Sequence, residues 1–189
     1  MKDNREYRDA QSFQTQDNFI IEGYVALFEP YVFYDDGTHK VYEYLHREAL
    51  NGADLSDVIL QIDHTGRVHA RKSNGTLEVK IDDKGIFMRA DLSRTEAGKE
   101  LYNEVKQGMY KSMSYAFRVK EDYYDKATNT RHITKIEKVY DCSVVAYPAN
   151  SNTSVSARSV FDGLIKPQIV EYEARTALID EYIRKVANI

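Results

Sequence analysis

Serine residues in the stretch KSMSYAF (111–117) are the first candidates for chemistry in this 189-residue chain. The stretch alternates like a strand, so Ser112 and Ser114 share one face with small and polar residues, while large apolar residues take the other face. A serine hydroxyl is a weak nucleophile, and hydrolysis requires a neighbouring base and a third group that fixes the tautomer of that base. Either serine could therefore act as a nucleophile if a histidine and an acid lie beside it.

The acid is predicted from a hairpin in which KSMSYAFRVKEDYY turns within residues 125–130 into RHITKIEKVYDCSVVAYP. A turn centred in that segment places Ser114 directly opposite Asp141. Directly opposed side chains share a face, with Cβ atoms about 4.5–5.5 Å apart, whereas a slip of one residue would put them on opposite faces. The hairpin therefore predicts that serine and acid converge, and that Cys142 points the other way and serves packing.

A histidine from a third strand would complete the set. The compact apolar strand DVILQID (57–63) carries His64 at its end, and His69 follows in HTGRVHARKSNG, which is predicted to be a basic loop. Asp63 together with the two histidines could also suggest a metal site. The chain has no cysteine cluster and no helical carboxylate–histidine motif, so that spacing is weak evidence for a metal.

The elements that must position these residues are mostly strands. One helix is predicted inside the domain, with Thr95 as its N-cap and Gly108 at its C-terminal end. The other predicted strands are FIIEGYVALF (19–28), VYEYL (41–45), TLEVKI (76–81) and GIFMRADL (85–92). The residues DDK separate the last two, which is typical of a hairpin. The pattern predicts an α+β domain dominated by strands.

Both ends of the chain differ from its centre. Residues 1–18 are polar and are predicted to be loosely ordered, and SNTSVSARS (151–159) is typical of a polar linker. Beyond Pro167, apolar residues recur every four positions, which predicts a C-terminal amphipathic helix: Val170, Ala174, Leu178, Tyr182 and Val186. We therefore expect an N-terminal segment (1–18), a central domain (19–158), and the linker end with the C-terminal helix (159–189).

Composition argues against several classes of protein. The chain has 26 Lys and Arg against 30 Asp and Glu, a net charge of −4 without blocks of like charge, so nucleic-acid binding has little support. Cys142 is the single cysteine, which excludes an internal disulfide and fits a reducing compartment. The sequence shows neither a signal-peptide pattern nor 18 consecutive apolar residues. We expect a soluble, cytoplasmic protein without a membrane partner.

Several stretches, taken in order, resemble the prohead (capsid-maturation) serine proteases of tailed bacteriophages. They are IEGYVALF, His64 after its apolar strand, SNGTLEVKIDDKGIFMRADL, RTEAGKELYNEVKQG, MSYAF and VYDCSVVAYPAN. The resemblance covers roughly residues 19–158. It implies Ser114 as the nucleophile, with Ala116 in place of the glycine of the family's Ser-x-Gly-Phe stretch. It further implies His64 as the base and Asp141, at a position where the family often has Glu, as the orienting acid.

The same resemblance implies a fold and a role. The fold would be a small β-barrel flanked by helices, similar to herpesvirus capsid-maturation proteases. The role would be that of a serine endopeptidase without metal or organic cofactor, acting inside the assembling procapsid in the host cytoplasm. Its substrates would be scaffold, the scaffolding segment of the major capsid protein precursor and, in many members, the protease itself. The C-terminal helix would serve self-association or recruitment.

Other assignments stay open. Ser112 is the second choice of nucleophile, and His69 is the second choice of base. Asp141 could instead pair with Lys111 or Arg118 as a charge at the hairpin edge. The chain could also be a catalytically idle capsid-assembly or scaffolding protein of the same fold, or a β-rich binding module unrelated to capsids.

Overall fold

The computed structural model describes residues 5–10, 12–146 and 160–187. Its strands are β1 (Glu6–Ala10), β2 (Ser12–Gln16), β3 (Ile20–Leu27), β4 (Tyr31–Asp35), β5 (Lys40–Leu45), β6 (Ile59–Ile62), β7 (Thr65–Arg71), β8 (Leu77–Ile81), β9 (Gly85–Asp91), β10 (Ser112–Asp125) and β11 (Thr130–Val145). The α-helices are α1 (Glu96–Lys106) and α2 (Lys166–Ala187). Short 3₁₀ turns span Arg47–Leu50 and Lys72–Asn74, and a π-helical turn spans Phe161–Ile165.

The long hairpin β10–β11 organises the first sheet. Its turn lies where the sequence predicts it: Asp125 pairs with Thr130, and the Asp125 carboxylate accepts hydrogen bonds from Ala127 N (2.9 Å) and Thr128 Oγ1 (2.9 Å). A carboxylate that binds the backbone two residues on stabilises such turns. The sheet order is β1-β10-β11-β5-β4, and β6 pairs with the last part of β11 and carries β7 at its other edge.

The second sheet has the order β2-β3-β9-β8, and the predicted DDK hairpin joins β8 to β9. One apolar core includes Ile21 and Met88 of this sheet, Met113 and Phe117 of the first sheet, and Leu101 of α1. Burial of these side chains against each other is the main force that holds sheets and helix together. The predicted α+β class, dominated by strands and ending in a helix, is confirmed.

The predicted barrel is wrong, because the two sheets do not close into one. The long strand β11 changes partner along its length: β5 pairs with Thr130–Ile133 and β6 pairs with Asp141–Val144. A sheet that branches in this way leaves β1, β4 and β7 at its edges and does not curl into a cylinder. The likeness to herpesvirus proteases stays a prediction.

Helix α1 forms as its sequence predicts. The Thr95 side chain accepts a hydrogen bond from Gly98 N (3.0 Å), and Gly108 ends the segment with φ +78°. Glycine is also required at position 98, since a Cβ atom there would lie 2.4 Å from the carbonyl oxygen of Leu92. This close approach lets α1 pack directly against the end of β9.

Two segments are more regular than predicted. The expectation of a loosely ordered N-terminus is wrong for residues 6–10 and 12–16, which form β1 and β2 in different sheets. The expectation of a loop after His64 is also wrong, because Thr65–Arg71 forms β7. All three strands lie at sheet edges and have many polar residues, so the apolar alternation that predicts a strand is absent.

The predicted C-terminal helix is present as α2, but the chain before it belongs to the domain. Phe161 and Ile165 are fully buried in a second apolar cluster, and Phe161 stacks on Tyr34 with 4.0 Å between ring centroids. Pro148 and the predicted linker 151–159 lie outside the described residues, and the division of the chain at 158 stays a prediction. None of the described helices is long and apolar enough to span a membrane.

A buried network of charges fastens β1 to the rest of the first sheet. Arg8 of β1 donates two hydrogen bonds to Glu43 of β5, at 2.5 and 2.8 Å. Arg131 of β11 donates to Glu43 (2.8 Å) and to both carboxylate oxygens of Glu6 (2.6 and 2.9 Å). Buried charges are tolerated when each has such partners, and removal of one partner leaves an uncompensated charge. The network therefore fixes the position of β1, which also carries Tyr7.

This network predicts a loss of stability in acid. Burial raises the pKa of Glu6, but the charges and hydrogen bonds of Arg8 and Arg131 outweigh burial and lower it from 4.5 to about 2. A lowered folded-state pKa stabilises the protein above the unfolded value, and this contribution is lost as the pH falls from about 4.5 towards 2. A shift of this size corresponds to about 3 kcal/mol. Urea unfolding midpoints at pH 6 and pH 3 should differ less for Glu6→Gln than for the wild type; an equal difference would contradict this origin.

Candidate active site

Ser114 lies inside the first sheet, with a neighbouring strand on each side. It pairs with Asp9 of β1 and with Ser143 of β11, and only 1% of its surface is exposed. Alternation predicts its face correctly: Met113 and Tyr115 point into the apolar core. Ser114 therefore belongs to a polar row on the opposite face of the sheet.

The prediction that Ser114 lies directly opposite Asp141 is wrong by two residues. The register near the turn is as predicted, but irregularities between Ala116 and Asp122 leave β11 with two more residues than β10 over the same span. Asp141 consequently pairs with Ala116, and Ser143 pairs with Ser114. A displacement of two residues preserves the face, so Ser114 and Asp141 are diagonal neighbours, about 7–8 Å apart. An imidazole ring fits between side chains at that separation, whereas direct opposition leaves too little room for one.

His64 occupies a two-residue turn between β6 and β7. Ile62 pairs with Thr65, so Asp63 and His64 form the turn, with φ values of 47° and 58°. Positive φ at both central residues is the type I′ geometry, which matches the twist of the flanking strands. It is uncommon for residues other than Gly, although Asn, Asp and His adopt it more often than the rest, and it still costs energy at a histidine. The surrounding contacts must therefore hold His64 in this conformation.

Two hydrogen bonds fasten the turn to the end of β11. Asp63 donates its backbone N–H to the carbonyl oxygen of Val144 (3.0 Å), and its carboxylate accepts from Ala146 N (3.1 Å). The parallel pairing of β6 with Asp141–Val144 continues directly into these bonds. The turn is thus held beside the strand that carries the acid.

The His64 ring meets the acid directly. His64 Nδ1 lies 2.6 Å from Asp141 Oδ1, and Ser143 Oγ donates to the same oxygen at 2.7 Å. Asp141 is buried, and its side chain is only 4% exposed, so water competes little for these bonds. A histidine held through Nδ1 presents Nε2 on its other side, where it can accept a proton from a hydroxyl.

The His64 ring also packs against β1. The Tyr7 ring meets the His64 ring edge-on, with centroids 4.6 Å apart and an interplanar angle of 63°. Tyr7, Ala116 and Asp141 follow one another across three paired strands. A ring that contacts Tyr7 and Asp141 therefore spans Ala116, and the small side chain leaves room for it. Between described residues, no hydrogen bond joins Ser114 to His64.

The second-choice residues are less well placed. Ser112 lies two residues farther from Asp141 along β10 and pairs with Val145. His69 lies on β7, where burial lowers the pKa of its imidazole and Glu104 of α1 is one of the charges that act on it. Arg118 forms an ion pair with Glu137 (3.6 Å) and not with Asp141. Ser143 is thus the serine that contacts Asp141, and of the two candidate serines on β10, Ser114 lies nearer to that acid. Of the two candidate histidines, His64 contacts it.

Cys142 and the metal hypothesis need separate mention. Cys142 is fully buried in the apolar core, as its predicted orientation requires, and burial raises the pKa of its thiol. Among residues 5–10, 12–146 and 160–187, no group of three His, Cys, Asp or Glu side chains could hold a metal ion. A cavity of about 360 Å³ lies elsewhere, between α2 and the turn of β10–β11, and does not include the polar row around Ser114.

Sequence reasoning missed two contacts of this site. Ser143 follows Asp141 by two residues in a predicted strand, so alternation places it on the same face, and that signal was sufficient to include it. Tyr7 lies in a segment predicted to be loose, where no pattern indicates a strand. Its contact with His64 depends on the pairing of β1 with β10.

Comparisons with known proteins agree on one family. The model described as "Caudovirus prohead serine protease" matches residues 6–163, which adds β1 and β2 to the range of the resemblance. A curated relative, the prohead protease of Enterobacteria phage HK97, is 29% identical over 84 residues. That alignment covers 44% of this chain and 37% of the relative's length. No solved structure matches the chain.

Proposed function

Since the chain belongs to the caudovirus prohead serine protease family, we propose that it is a serine endopeptidase in which Ser114 is the nucleophile, His64 the general base and Asp141 the orienting acid. The observation that carries the proposal is the 2.6 Å hydrogen bond from His64 to a buried carboxylate. Ser114 lies on the same face of the sheet, two residues along β10 from Ala116, which pairs with Asp141. His64 and Asp141 are 77 residues apart in the sequence, so their contact does not follow from local chain geometry and supports the proposal.

The chemistry follows from these positions. Ser114 Oγ attacks the peptide carbonyl carbon as His64 Nε2 takes the hydroxyl proton, and the carbonyl oxygen becomes the oxyanion of a tetrahedral intermediate. The intermediate collapses as His64 gives the proton to the leaving amine, and an acyl-enzyme ester remains on Ser114. A water molecule then attacks the ester carbonyl as His64 takes its proton. The second intermediate collapses, releases the carboxylic acid product and breaks the bond to Ser114 Oγ, which receives the proton from His64. Asp141 keeps the imidazole in the required tautomer and stabilises the imidazolium.

We assign the substrates by family. They would be the scaffold or the scaffolding segment of the major capsid protein precursor, and the protease itself, inside the assembling procapsid. Co-expression of the chain with that precursor, followed by intact-mass spectrometry, tests the assignment. The wild type should yield a precursor shortened at one site, and Ser114→Ala should leave it at full mass. A precursor that stays intact with the wild type, in assembled procapsids, would favour the idle assembly protein.

Ser143 predicts a positioning effect on the same reaction. Ser143→Ala removes one of two donors to Asp141 Oδ1, and a hydrogen bond to a charged group contributes about 1.5–3 kcal/mol, so kcat/KM should fall roughly tenfold or more. The substrate-binding groups are unchanged, so the loss should appear in kcat with KM little altered. Ser112→Ala is the matched control, because it removes a hydroxyl from the same face of β10. A fall in melting temperature without a fall in kcat would indicate a purely structural role.

A further inference from the structure

Helix α2 carries a row of large apolar side chains into solvent. Leu178 and Tyr182 are 68% and 69% exposed, and five further side chains are more than half exposed: Val170, Tyr172, Ile179, Ile183 and Val186. Contiguous apolar surface of this kind marks interaction sites in soluble proteins. The helical turn before α2 is packed on the domain through Phe161 and Ile165. The exposed row therefore follows a segment whose position is fixed.

The spacing of the row is that of a coiled-coil seam. Arg175, Ile179, Tyr182 and Val186 alternate steps of four and three residues. Tyr172, three residues before Arg175, continues this spacing but lies beside Lys126 of its own domain, with the ammonium 5.9 Å from its ring centroid. Such a repeat keeps one stripe facing a partner helix, and a polar residue within the stripe favours one register. Leu178 and Ile183 flank the stripe on its two sides. The occupant that this pattern fits is another helix.

The charges beside the seam are complementary to those of a second copy of the chain. Glu171, Leu178 and Lys185 are seven residues apart and line one flank of the stripe. In an antiparallel pair centred on Leu178, this flank faces its own copy, so Glu171 meets the partner's Lys185 at both ends. In a parallel pair this flank would instead meet the other flank of the second copy, which carries Thr176 and Ile183. Glu171 and Lys185 would then form no ion pair between the two helices. Lys185 now contacts Glu181 of its own helix (2.6 Å), a solvent-exposed pair that contributes little.

We propose that α2 forms an antiparallel homodimer with a second copy of this chain, centred on Leu178. The helix has 22 residues and is about 33 Å long, so the two domains lie at opposite ends of the helix pair. Because α2 is already helical and anchored, little conformational entropy is lost on association. The interface is small, so the dimer forms in a concentration-dependent manner. This inference is independent of the proposed proteolysis.

Sedimentation velocity of the full chain over a concentration series tests the dimer. Ile179→Asp removes an exposed seam residue without touching the core, so the variant should be monomeric at all concentrations and melt at the wild-type temperature. Glu171→Lys should weaken the dimer roughly tenfold, through two repulsive contacts. The swap Glu171→Lys with Lys185→Glu should restore the wild-type affinity. A wild type that is monomeric throughout overturns the proposal and assigns the face to a different partner, and a swap as weak as the single reversal overturns the register.

Crosslinking tests the orientation. Cys142 is buried, so an introduced surface cysteine is the accessible thiol in the described part of the chain. A mixture of Glu171→Cys and Lys185→Cys chains should form a disulfide-linked heterodimer on mild oxidation, with the second Glu171–Lys185 contact intact. Glu171→Cys alone should stay uncrosslinked. Efficient self-crosslinking of Glu171→Cys, without the heterodimer, would show a parallel pair and overturn the proposal.

Discussion

Replacing Ser114 by alanine is expected to abolish peptide hydrolysis and leave the fold intact. Without its Oγ the acyl-enzyme cannot form, and removal of the serine or histidine of a triad lowers kcat by about 10⁶-fold. The substitution deletes one hydroxyl from the polar face of the sheet, so stability should change little. Hydrolysis of a capsid-precursor peptide, with circular dichroism as the check on folding, measures both effects. A fluorophosphonate probe, which phosphonylates activated serines, should label the wild type at Ser114.

Ser112→Ala is the control for this experiment. Ser112 lies on the same strand and face, but two residues farther from the acid. It should keep wild-type activity and probe labelling. An inactive Ser112→Ala beside an active Ser114→Ala would place the nucleophile one repeat along β10 and refute the assignment.

Loss of the His64 imidazole is expected to have an effect of similar size. The serine hydroxyl then has no base within reach, and kcat should fall by several orders of magnitude, on the order of 10⁴–10⁶. Alanine at this position would also strain the turn, because His64 has φ +58°. Asparagine adopts positive φ readily, so His64→Asn removes the base and preserves the turn. The kinetic assay used for Ser114→Ala measures the loss.

His69→Asn is the matched variant for the second histidine. It lies on β7 beside α1 and should keep most of the activity. Added imidazole should partly restore His64→Ala, in which the space of the ring is vacated, and should have no effect on Ser114→Ala. Wild-type activity in His64→Asn would remove His64 from the mechanism.

The relation between Ser114 and Asp141 shows what strand periodicity determines and what it does not. The turn within 125–130 and the face of both residues follow from alternation, since a displacement by two residues leaves every side chain on its own face. The diagonal pairing results from bulges, where extra residues of β11 are accommodated through local twist and packing. No residue type in ITKIEKVYD (133–141), the part of β11 where they lie, indicates them. The face of the site was therefore predictable, and its exact pairs were not.

A turn and an edge strand of the site also could not be predicted from the sequence. The Asp63–His64 turn lacks the glycine that usually indicates type I′ geometry, and its conformation depends on contacts with β11. Strand β1 is predicted by no apolar pattern, because its stability derives from charges on β5 and β11 that are distant in sequence. Helix α1 was predictable because Thr95 and Gly108 are local signals. Local sequence signals thus predict individual elements such as α1, whereas the site depends on pairing between strands that are distant in the sequence.

The separation of the strands along the chain has a consequence for folding kinetics. Tyr7, His64 and Asp141 meet only after β1 has paired with β10 and β6 has paired with β11, contacts that close loops of about 80 to 110 residues. Non-local pairings of this kind form slowly, whereas the β10–β11 hairpin can form early. An intermediate with the hairpin alone holds the serine and the acid but no base. On refolding, activity should therefore appear after most of the strand structure, so that a newly made chain stays inert until its topology is complete.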